Sequence, residues 1–257
     1  MKTGAEVEVL RLREKVNLTD HILVLGTHDI TYDLLRDHLH EKHPRVRLHT
    51  AAVGGRTGLN CLKRGQCHGA AAHLFDEVSG EYNVPFLKSD DWEEPVIVIQ
   101  VLKRWLGLAV APGNPLGIKG LSDLNQDGLR FVNRQPGSGT RSLLDYHLAE
   151  AGVDSSSIQG YDLSAHTHMS IAAAVKGREA DAGPTISTAA RSLGLDFVPC
   201  ISERLDFIFP KRLLTLYPLR ALISVMSSSA FRESATARFP DYDFGEAGTL
   251  IWETPAE

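Results

Sequence analysis

The chain has little of what marks several large classes of protein. Its 257 residues include three cysteines, Cys61, Cys67 and Cys200, which are too few for a disulfide framework and favour a reducing compartment. Basic residues are not in excess, since 27 lysines and arginines stand against 32 acidic residues. The formal net charge of −5 predicts no general attraction to nucleic acid or to an anionic membrane. No apolar run approaches the roughly 18–20 residues that cross a bilayer.

The first residues also lack an export signature. Residues 1–20 alternate charged and apolar side chains and contain no apolar core of the kind found in a signal peptide. We therefore expect a cytoplasmic protein with no membrane span. We interpret residues 1–19 as an N-terminal extension, which is too short for a helix-turn-helix, so no direct contact with nucleic acid is expected.

The composition that remains is that of an ordinary folded protein. Apolar residues make up 43% and charged residues 23% of the chain, which excludes a disordered tail, a collagen-like chain and a coiled coil. The length fits one large domain or two lobes of roughly 100–130 residues each.

Short apolar runs alternate with helical patterns, which indicates an α/β fold. The runs predict strands over 21–25, 46–53, 66–74, 95–102, 106–111, 130–133, 180–183, 195–198 and 204–209. The periodic segments predict helices over 31–40, 58–64, 141–151, 169–176, 187–193 and, as one long helix, 219–238. We interpret Lys103 and Arg104 as a polar tip between two strands. No low-complexity linker separates the halves, so two lobes joined by extended crossings fit best.

Four short loops rich in glycine, serine and threonine connect a strand to a helix, at residues 26–29, 54–57, 137–141 and 166–168. The start of a helix offers unpaired backbone N–H groups and the positive end of the helix dipole. Glycine lets the backbone approach a ligand closely, and hydroxyl groups add donors. Two such loops in each half of the chain can surround one small anion, so the pattern predicts anion binding.

These loops also have a purely structural interpretation, because serine and threonine are ordinary N-cap residues. The sequence Gly-Ser-Gly-Thr-Arg at 137–141 is richer than a cap requires, so we favour ligand contact for Ser138 and Thr140. Arg141 opposes the helix dipole at its position and needs either an anionic neighbour or a place facing solvent.

Motifs typical of enzymes are missing. The chain has no nucleophile elbow, no P-loop and no dinucleotide-binding glycine pattern, and the spacing of Ser138, His168 and Asp181 gives no support to a triad. We therefore predict that the protein is not an enzyme and that it has no catalytic residue and no cofactor. A metal site is not expected either, because alternation along a strand sends His68 and His73 to opposite faces.

One segment is highly specific, the sequence Phe-Val-Asn-Arg-Gln-Pro-Gly-Ser-Gly-Thr-Arg at 131–141. Shorter matches accompany it at 26–29, 73–76, 80–83, 111–115, 167–168, 172–175 and 180–183. In these segments, over about 21–210, the chain resembles the PBP-like domain of the type II periplasmic-binding-protein superfamily. Members of that family occur alone, joined to helix-turn-helix regulators, or at the end of molybdopterin-biosynthesis proteins. They are similar to the tungstate- and molybdate-binding proteins related to ABC transporters.

The resemblance implies a two-lobed α/β fold with the ligand in the cleft between the lobes. Lobe I would comprise residues 20–103 with 203–257, and lobe II residues 104–202. Thr27 stands where serine is usual and keeps the hydroxyl, whereas Gly55 removes one. With the four loops, the resemblance gives the predicted ligand-binding residues Thr27, His28, Gly55, Arg56, Arg134, Ser138, Gly139, Thr140, Arg141, Thr167 and His168.

The leading functional hypothesis is a binding protein for a small anion, most simply molybdate or tungstate, that acts by closure of its lobes. A regulatory module that senses a small organic acid is an alternative. An accessory component of molybdenum-cofactor biosynthesis is another, and either would imply a protein partner. The same donors serve molybdate, tungstate, sulfate and organic acids, so the sequence does not choose among them.

Overall fold

The alternating apolar and helical segments fold into a mixed α/β structure. The computed structural model describes residues 18–90 and 92–255, so the predicted extension at 1–19 lies almost wholly outside the described residues. The strands are β1 His21–Gly26, β2 Arg47–Ala52, β3 Gly69–Ala72, β4 Phe75–Asp76, β5 Glu81–Tyr82, β6 Val96–Val110, β7 Asn133–Arg134, β8 Ser164–Ala165, β9 Ala182–Ile186, β10 Asp196–Pro210, β11 Tyr242–Asp243 and β12 Leu250–Glu253. The helices are α1 Thr31–Lys42, α2 Gly55–Lys63, α3 Val84–Ser89, α4 Gly139–Glu150, α5 His168–Lys176, α6 Ser187–Ser192, α7 Tyr217–Met226 and α8 Ser229–Arg238.

The main sheet has the strand order β11-β6-β10-β3-β1-β2, and β9 and β12 also pair with β6. β1 runs parallel to β2 and to β3, and α1 and α2 supply the crossovers that parallel neighbours require. β10 is antiparallel to both β3 and β6. Because β1 and β3 are parallel neighbours, the segments that follow them leave the sheet at one edge, where Thr27 and His73 meet.

Strand β6 corrects the prediction of two strands with a polar tip between them. It is continuous from Val96 to Val110, and Arg104 in its middle is only 5% exposed. The guanidinium of Arg104 is paired with Asp29 and Glu203, so its charge does not bring it to the surface. Both partners are distant in sequence, and the local pattern therefore gave no sign of them.

Strand β10 likewise replaces two predicted strands. It runs from Asp196 to Pro210 beside β6, and the pairing register shifts twice, between Pro199 and Ile201 and between Leu205 and Asp206. The two long strands β6 and β10 therefore pass together from one half of the molecule to the other. Such irregularities bend a strand locally.

Other differences from the predicted elements are smaller. The long helix predicted over 219–238 is two helices, because Ser228 takes an extended conformation and its hydroxyl accepts a hydrogen bond from the N–H of Phe231. The strand predicted over 66–74 is confined to β3. The one predicted over 130–133 is reduced to β7 and a single bridge between Phe131 and Ala182.

Buried apolar side chains form separate clusters in the two halves. Phe207, Phe209 and Phe231 belong to the cluster that packs α1, α7 and α8 on the sheet, whereas Phe131 and Leu144 belong to a second cluster around the end of β6. This arrangement is two-lobed, as the resemblance implied. The boundaries near residues 103 and 202 stay a prediction. In the part of the chain described by the structure, no helix is long and apolar enough to cross a membrane.

Candidate functional site

A cavity of about 440 Å³ opens at the sheet edge where β1 and β3 end. Its wall is formed by residues 27–30, His73, Arg104, Arg134, residues 138–140, residues 167–169, Ile186 and Thr188. These residues come from both predicted lobes, so the cavity has the position of a cleft between them. We refer to it below as the cleft.

Three helices begin at the cleft, because the loops before α1, α4 and α5 all line it. Asp29 accepts a hydrogen bond from the N–H of Thr31 at 2.9 Å, Ser138 from Arg141 at 3.2 Å and Thr167 from Ser170 at 2.9 Å. Ser138 and Thr167 are therefore N-caps, as the structural interpretation held, whereas the N-cap position of α1 is Ile30 and Asp29 accepts within the turn before it. The hydroxyl of Ser138 acts as an acceptor in its cap and keeps its own proton available for a ligand. The two interpretations of this loop are compatible.

Arg134 provides positive charge in the wall of the cleft. Its side chain is half-buried, and it donates to the carbonyl of His166 at 3.0 Å and to the side-chain oxygen of Gln135 at 3.3 Å. Thr140 and His168 lie within 3.5 Å of one guanidinium nitrogen. Within residues 18–90 and 92–255, no carboxylate forms an ion pair with it. Burial lowers the pKa of Arg134, although the charge of Glu203 opposes this, so the cation is held where an anion would stabilise it.

A buried ionic cluster lies at the back of the cleft. Arg104 contacts Asp29 at 2.5 Å and also pairs with Glu203, and all three side chains are almost completely buried. Burial alone would raise the pKa of Glu203, but the charge of Arg104, together with the smaller effects of His73 and His168 and the hydrogen bond from Arg104, lowers that pKa to about 2. Removing one member would leave a buried charge without its partner, at a cost of about 3–5 kcal/mol.

Two histidines, His73 and His168, line the cleft beside this cluster. The Nδ1 atom of His73 lies 2.9 Å from the hydroxyl oxygen of Thr27. Burial lowers the pKa of His73. For His168, burial together with the charges of Arg104 and Arg134 lowers the pKa to about 3. Both side chains are therefore neutral near pH 7.

Comparison with known proteins accounts for this architecture. The family model of the PBP superfamily domain matches residues 36–227. The chain belongs to this family. The uncharacterized protein YvgK of Bacillus subtilis (strain 168) is 32% identical over 232 residues, which cover 90% of this chain and 74% of that protein.

Solved structures share the fold of this PBP-family chain at low sequence identity. An ABC-type phosphate transport receptor from Vibrio cholerae has a TM-score of 0.59 and 13% identity, covering 86% of this chain and 99% of the receptor. The regulatory domain of MetR, a LysR family regulator from N. meningitidis, has a TM-score of 0.58 and 10% identity, covering 87% and 98%. The type II periplasmic-binding-like fold is thereby confirmed, and these neighbours are a receptor and a regulatory domain rather than enzymes.

The cleft of this PBP-family chain brings together eight of the eleven predicted binding residues: Thr27, His28, Arg134, Ser138, Gly139, Thr140, Thr167 and His168. The sequence did not single out Arg104 or Glu203 as site residues, and it considered His73 as a metal ligand and within the matched segment 73–76, not as a ligand-binding residue. No local signal would have found Arg104, because a charged pair between two apolar runs has the same pattern whether it faces water or is buried.

The other three predicted residues do not line the cleft. Gly55 packs behind Thr27, since a Cβ atom on it would lie 3.4 Å from the Thr27 hydroxyl oxygen. The guanidinium of Arg56 lies 4.5 Å from the centre of the Phe86 ring. Arg141 has the anionic neighbour that the sequence required, because its Nε atom lies 3.1 Å from Asp145, and it also stacks on Tyr161.

Replacement of Arg141 by glutamine should therefore lower stability more than ligand affinity. The change removes a partly buried ion pair and a stacked guanidinium, which together contribute about 1–3 kcal/mol. We expect thermal denaturation to show a melting temperature lower by roughly 2–10 °C. Calorimetric titration should give a ligand Kd within about threefold of the wild-type value, because the loss of binding free energy should be smaller than that of one hydrogen bond to the ligand. A large loss of affinity with unchanged melting would instead place Arg141 on the ligand.

The donors of the cleft are nitrogen and hydroxyl groups rather than a metal-binding set. Among the described residues, no three histidine, cysteine, aspartate or glutamate side chains are grouped so that they could hold a metal ion. The cleft therefore presents hydrogen-bond donors around the cation of Arg134, which has no ion-pair partner in the described chain. The carboxylates of Asp29 and Glu203 are paired with Arg104.

Proposed function

We propose that this PBP-family chain binds a tetrahedral oxyanion, molybdate or tungstate, in the cleft and closes its lobes around it. The observation that carries the proposal is the position of Arg134, a half-buried cation without an ion-pair partner in the described chain, in a wall that also contains the starts of three helices. The fold is that of small-ligand-binding proteins, and this supports a binding role.

The arrangement of donors suits a tetrahedral anion in particular. Backbone N–H groups at the starts of α4 and α5 and the hydroxyls of Ser138 and Thr140 approach from one side, and Thr27 approaches from the other. Four oxygens in a tetrahedron can accept hydrogen bonds from such divergent directions, and charge-assisted bonds of this kind are strong. The choice of molybdate or tungstate over phosphate rests on the sequence resemblance.

A second candidate ligand is a small organic acid, as in an effector-sensing module. Ile30 and Met169 line the cleft with side chains that are 50% and 46% exposed, and Ile186 adds a third apolar contact. These groups offer nothing to an oxyanion but would pack against a carbon skeleton. The regulatory-domain neighbours support this alternative.

Thermal denaturation with a panel of anions tests the proposal. A ligand present at 100 times its Kd stabilises the folded state by about 2.7 kcal/mol, which for a chain of this size raises the melting temperature by roughly 5–10 °C. We expect this rise with molybdate or tungstate and none with chloride at equal ionic strength. A rise with malonate and none with molybdate, tungstate, phosphate or sulfate would reject the oxyanion and support the organic acid.

Closure of the lobes gives a separate expected result. The donors lie on both sides of the cleft, so a ligand contacts all of them only when the sides approach, and it therefore favours the closed form. Small-angle scattering should show a smaller radius of gyration with saturating tungstate. Thr140→Ala protein at the same tungstate concentration should have a larger radius of gyration than the wild type, because a smaller fraction of its molecules binds tungstate and closes. An unchanged profile for tungstate-saturated wild-type protein would mean that closure is not part of binding.

A further inference from the structure

A second cavity lies in the half of the molecule that contains α5 and shares no lining residue with the cleft. Its volume is about 610 Å³, larger than that of the cleft. It is bounded by the end of β6, the loop that follows it, the last turn of α5 and the segment that leads into β9. Parts of the matched segments 111–115, 172–175 and 180–183 line it, but the sequence assigned no ligand to this place.

The floor of the second cavity is apolar. Val110 and Ile118 are each 1% exposed, Val175 3% and Leu195 5%, while Leu116 at the rim is 45% exposed. A large exposed apolar side chain beside a concave apolar floor favours a ligand with a hydrocarbon body, which would cover both.

The rim of the same cavity is positively charged. Arg130 is neutralised by Asp181, with nitrogen–oxygen distances of 2.8 and 3.0 Å. Lys176 and Arg178 also line the cavity, and neither has an ion pair in the part of the chain that is described. The charged groups in the lining are therefore three cations and one carboxylate. That surplus attracts an anion.

Arg178 is held in an unusual backbone conformation. Gly177 ends α5, but the left-handed residue that follows is Arg178, with φ of 61°. Glycine or asparagine normally occupies this position after a helix, because a side chain there strains the backbone. Glycine at position 178 would relieve this strain but would carry no charge. The arginine that is present instead places a guanidinium at the rim of the cavity.

We propose that the second cavity is a ligand site for a small amphipathic carboxylate, whose hydrocarbon body packs on the apolar floor and whose carboxylate binds Lys176 and Arg178. This site is independent of the oxyanion proposed for the cleft. It depends on the apolar floor and the unpaired cations together, because the cations alone are exposed and would bind a simple anion weakly.

Helix α5 gives the second site a route to the cleft. Residues 167–169 at its start line the cleft, and Val175 and Lys176 at its end line the second cavity. The two ends are about 13 Å apart along a rigid element. A carboxylate that moves α5 would therefore change oxyanion affinity, and by linkage the oxyanion would change carboxylate affinity by the same factor. This coupling rests on the proposed function of the cleft, whereas the site itself does not.

Calorimetric titration of the full chain with phenylbutyrate tests the site, and the uncharged primary amide of phenylbutyrate serves as the ligand control. We expect one carboxylate bound per chain and at least tenfold weaker binding of the amide. Arg178→Gly should weaken phenylbutyrate binding about tenfold while keeping or raising the melting temperature, because it removes the cation and the strain together. Arg220→Gln, a surface change away from the cavity, should bind normally. Equal binding of acid and amide, or normal binding by Arg178→Gly, would overturn the proposal.

Binding of the carboxylate in the cleft is distinguished by a cleft variant. Arg134→Gln should bind phenylbutyrate as the wild type does, and loss of binding in that protein would move the carboxylate to the cleft and overturn the second site. If oxyanions do not bind at all, the titration with phenylbutyrate still decides the second site. If they do bind, an oxyanion Kd that is unchanged at saturating phenylbutyrate would overturn the coupling through α5.

Discussion

Glutamine in place of Arg134 should weaken oxyanion binding by roughly 10- to 150-fold, the loss of about 1.5–3 kcal/mol expected when a charged hydrogen bond to a ligand is removed. The wall of the cleft contains a second arginine, Arg104, but its charge is already matched by Asp29 and Glu203. Arg134 is therefore the cation available to the ligand, and glutamine keeps a donor in its place without the charge.

Titration calorimetry with tungstate measures this loss, and two variants control it. Arg220→Gln and Arg212→Gln each change an exposed arginine that does not line the cleft, and Arg212 is paired with Glu94. Both should bind tungstate within about threefold of wild type. If Arg134→Gln also stays within that range, the ligand does not contact Arg134, and the basis of the proposed function is removed.

Oxyanion affinity should rise as the pH falls, by up to about tenfold per pH unit for each proton taken up. Burial and the charges of Arg104 and Arg134 lower the pKa of His168 to about 3, so the ring is neutral near pH 7. Glu203 raises that pKa and His73 lowers it further. A unit negative charge about 4 Å away is worth about 4 kcal/mol at an intermediate dielectric constant, or about three pKa units. A bound dianion should therefore raise the pKa of His168 back toward the neutral range.

The sign follows from the number of protons bound. The complex binds more protons than the free protein, so the equilibrium shifts toward the complex as the pH falls through the raised pKa of His168 in the complex, and the gain continues down toward its pKa of about 3 in the free protein. Titrations in two buffers of different ionisation enthalpy give the proton number directly. His168→Gln should bind tungstate with a smaller dependence on pH. A proton number of zero for the wild type would mean that the histidines stay neutral and only donate N–H groups.

Local features of the site could be predicted from the sequence because their causes are local. Ser138 and Thr167 cap helices that begin at the next residue, and the hydroxyl and glycine content of their loops marks those starts. The ion pair of Arg141 could also be predicted from the sequence. Asp145 lies four residues later, on the same face of α4, and this spacing favours an ion pair in a helix.

The ionic cluster behind the cleft could not be predicted in this way. Arg104 is 75 residues from Asp29 and 99 residues from Glu203 along the chain. The contact with Glu203 arises because β10 lies beside β6 in the sheet, and that order is set by packing of the whole lobe. The polar pattern of Lys103 and Arg104 is the same whether the pair turns toward water or one of them is buried, so the error in that prediction has a non-local cause.

The pairing of β12 with β6 affects how the chain can fold during synthesis. Ile97, Val98 and Ile99 need both β10 and β12 as neighbours, and β12 is made about 150 residues later. At ordinary elongation rates this interval is roughly 7–30 s. Throughout it, an apolar strand of the nascent chain lacks one of its hydrogen-bonding partners. The segment that carries α4, α5 and β9 finds its contacts much sooner, because β9 pairs with the far end of β6, so we expect it to be ordered on the ribosome first.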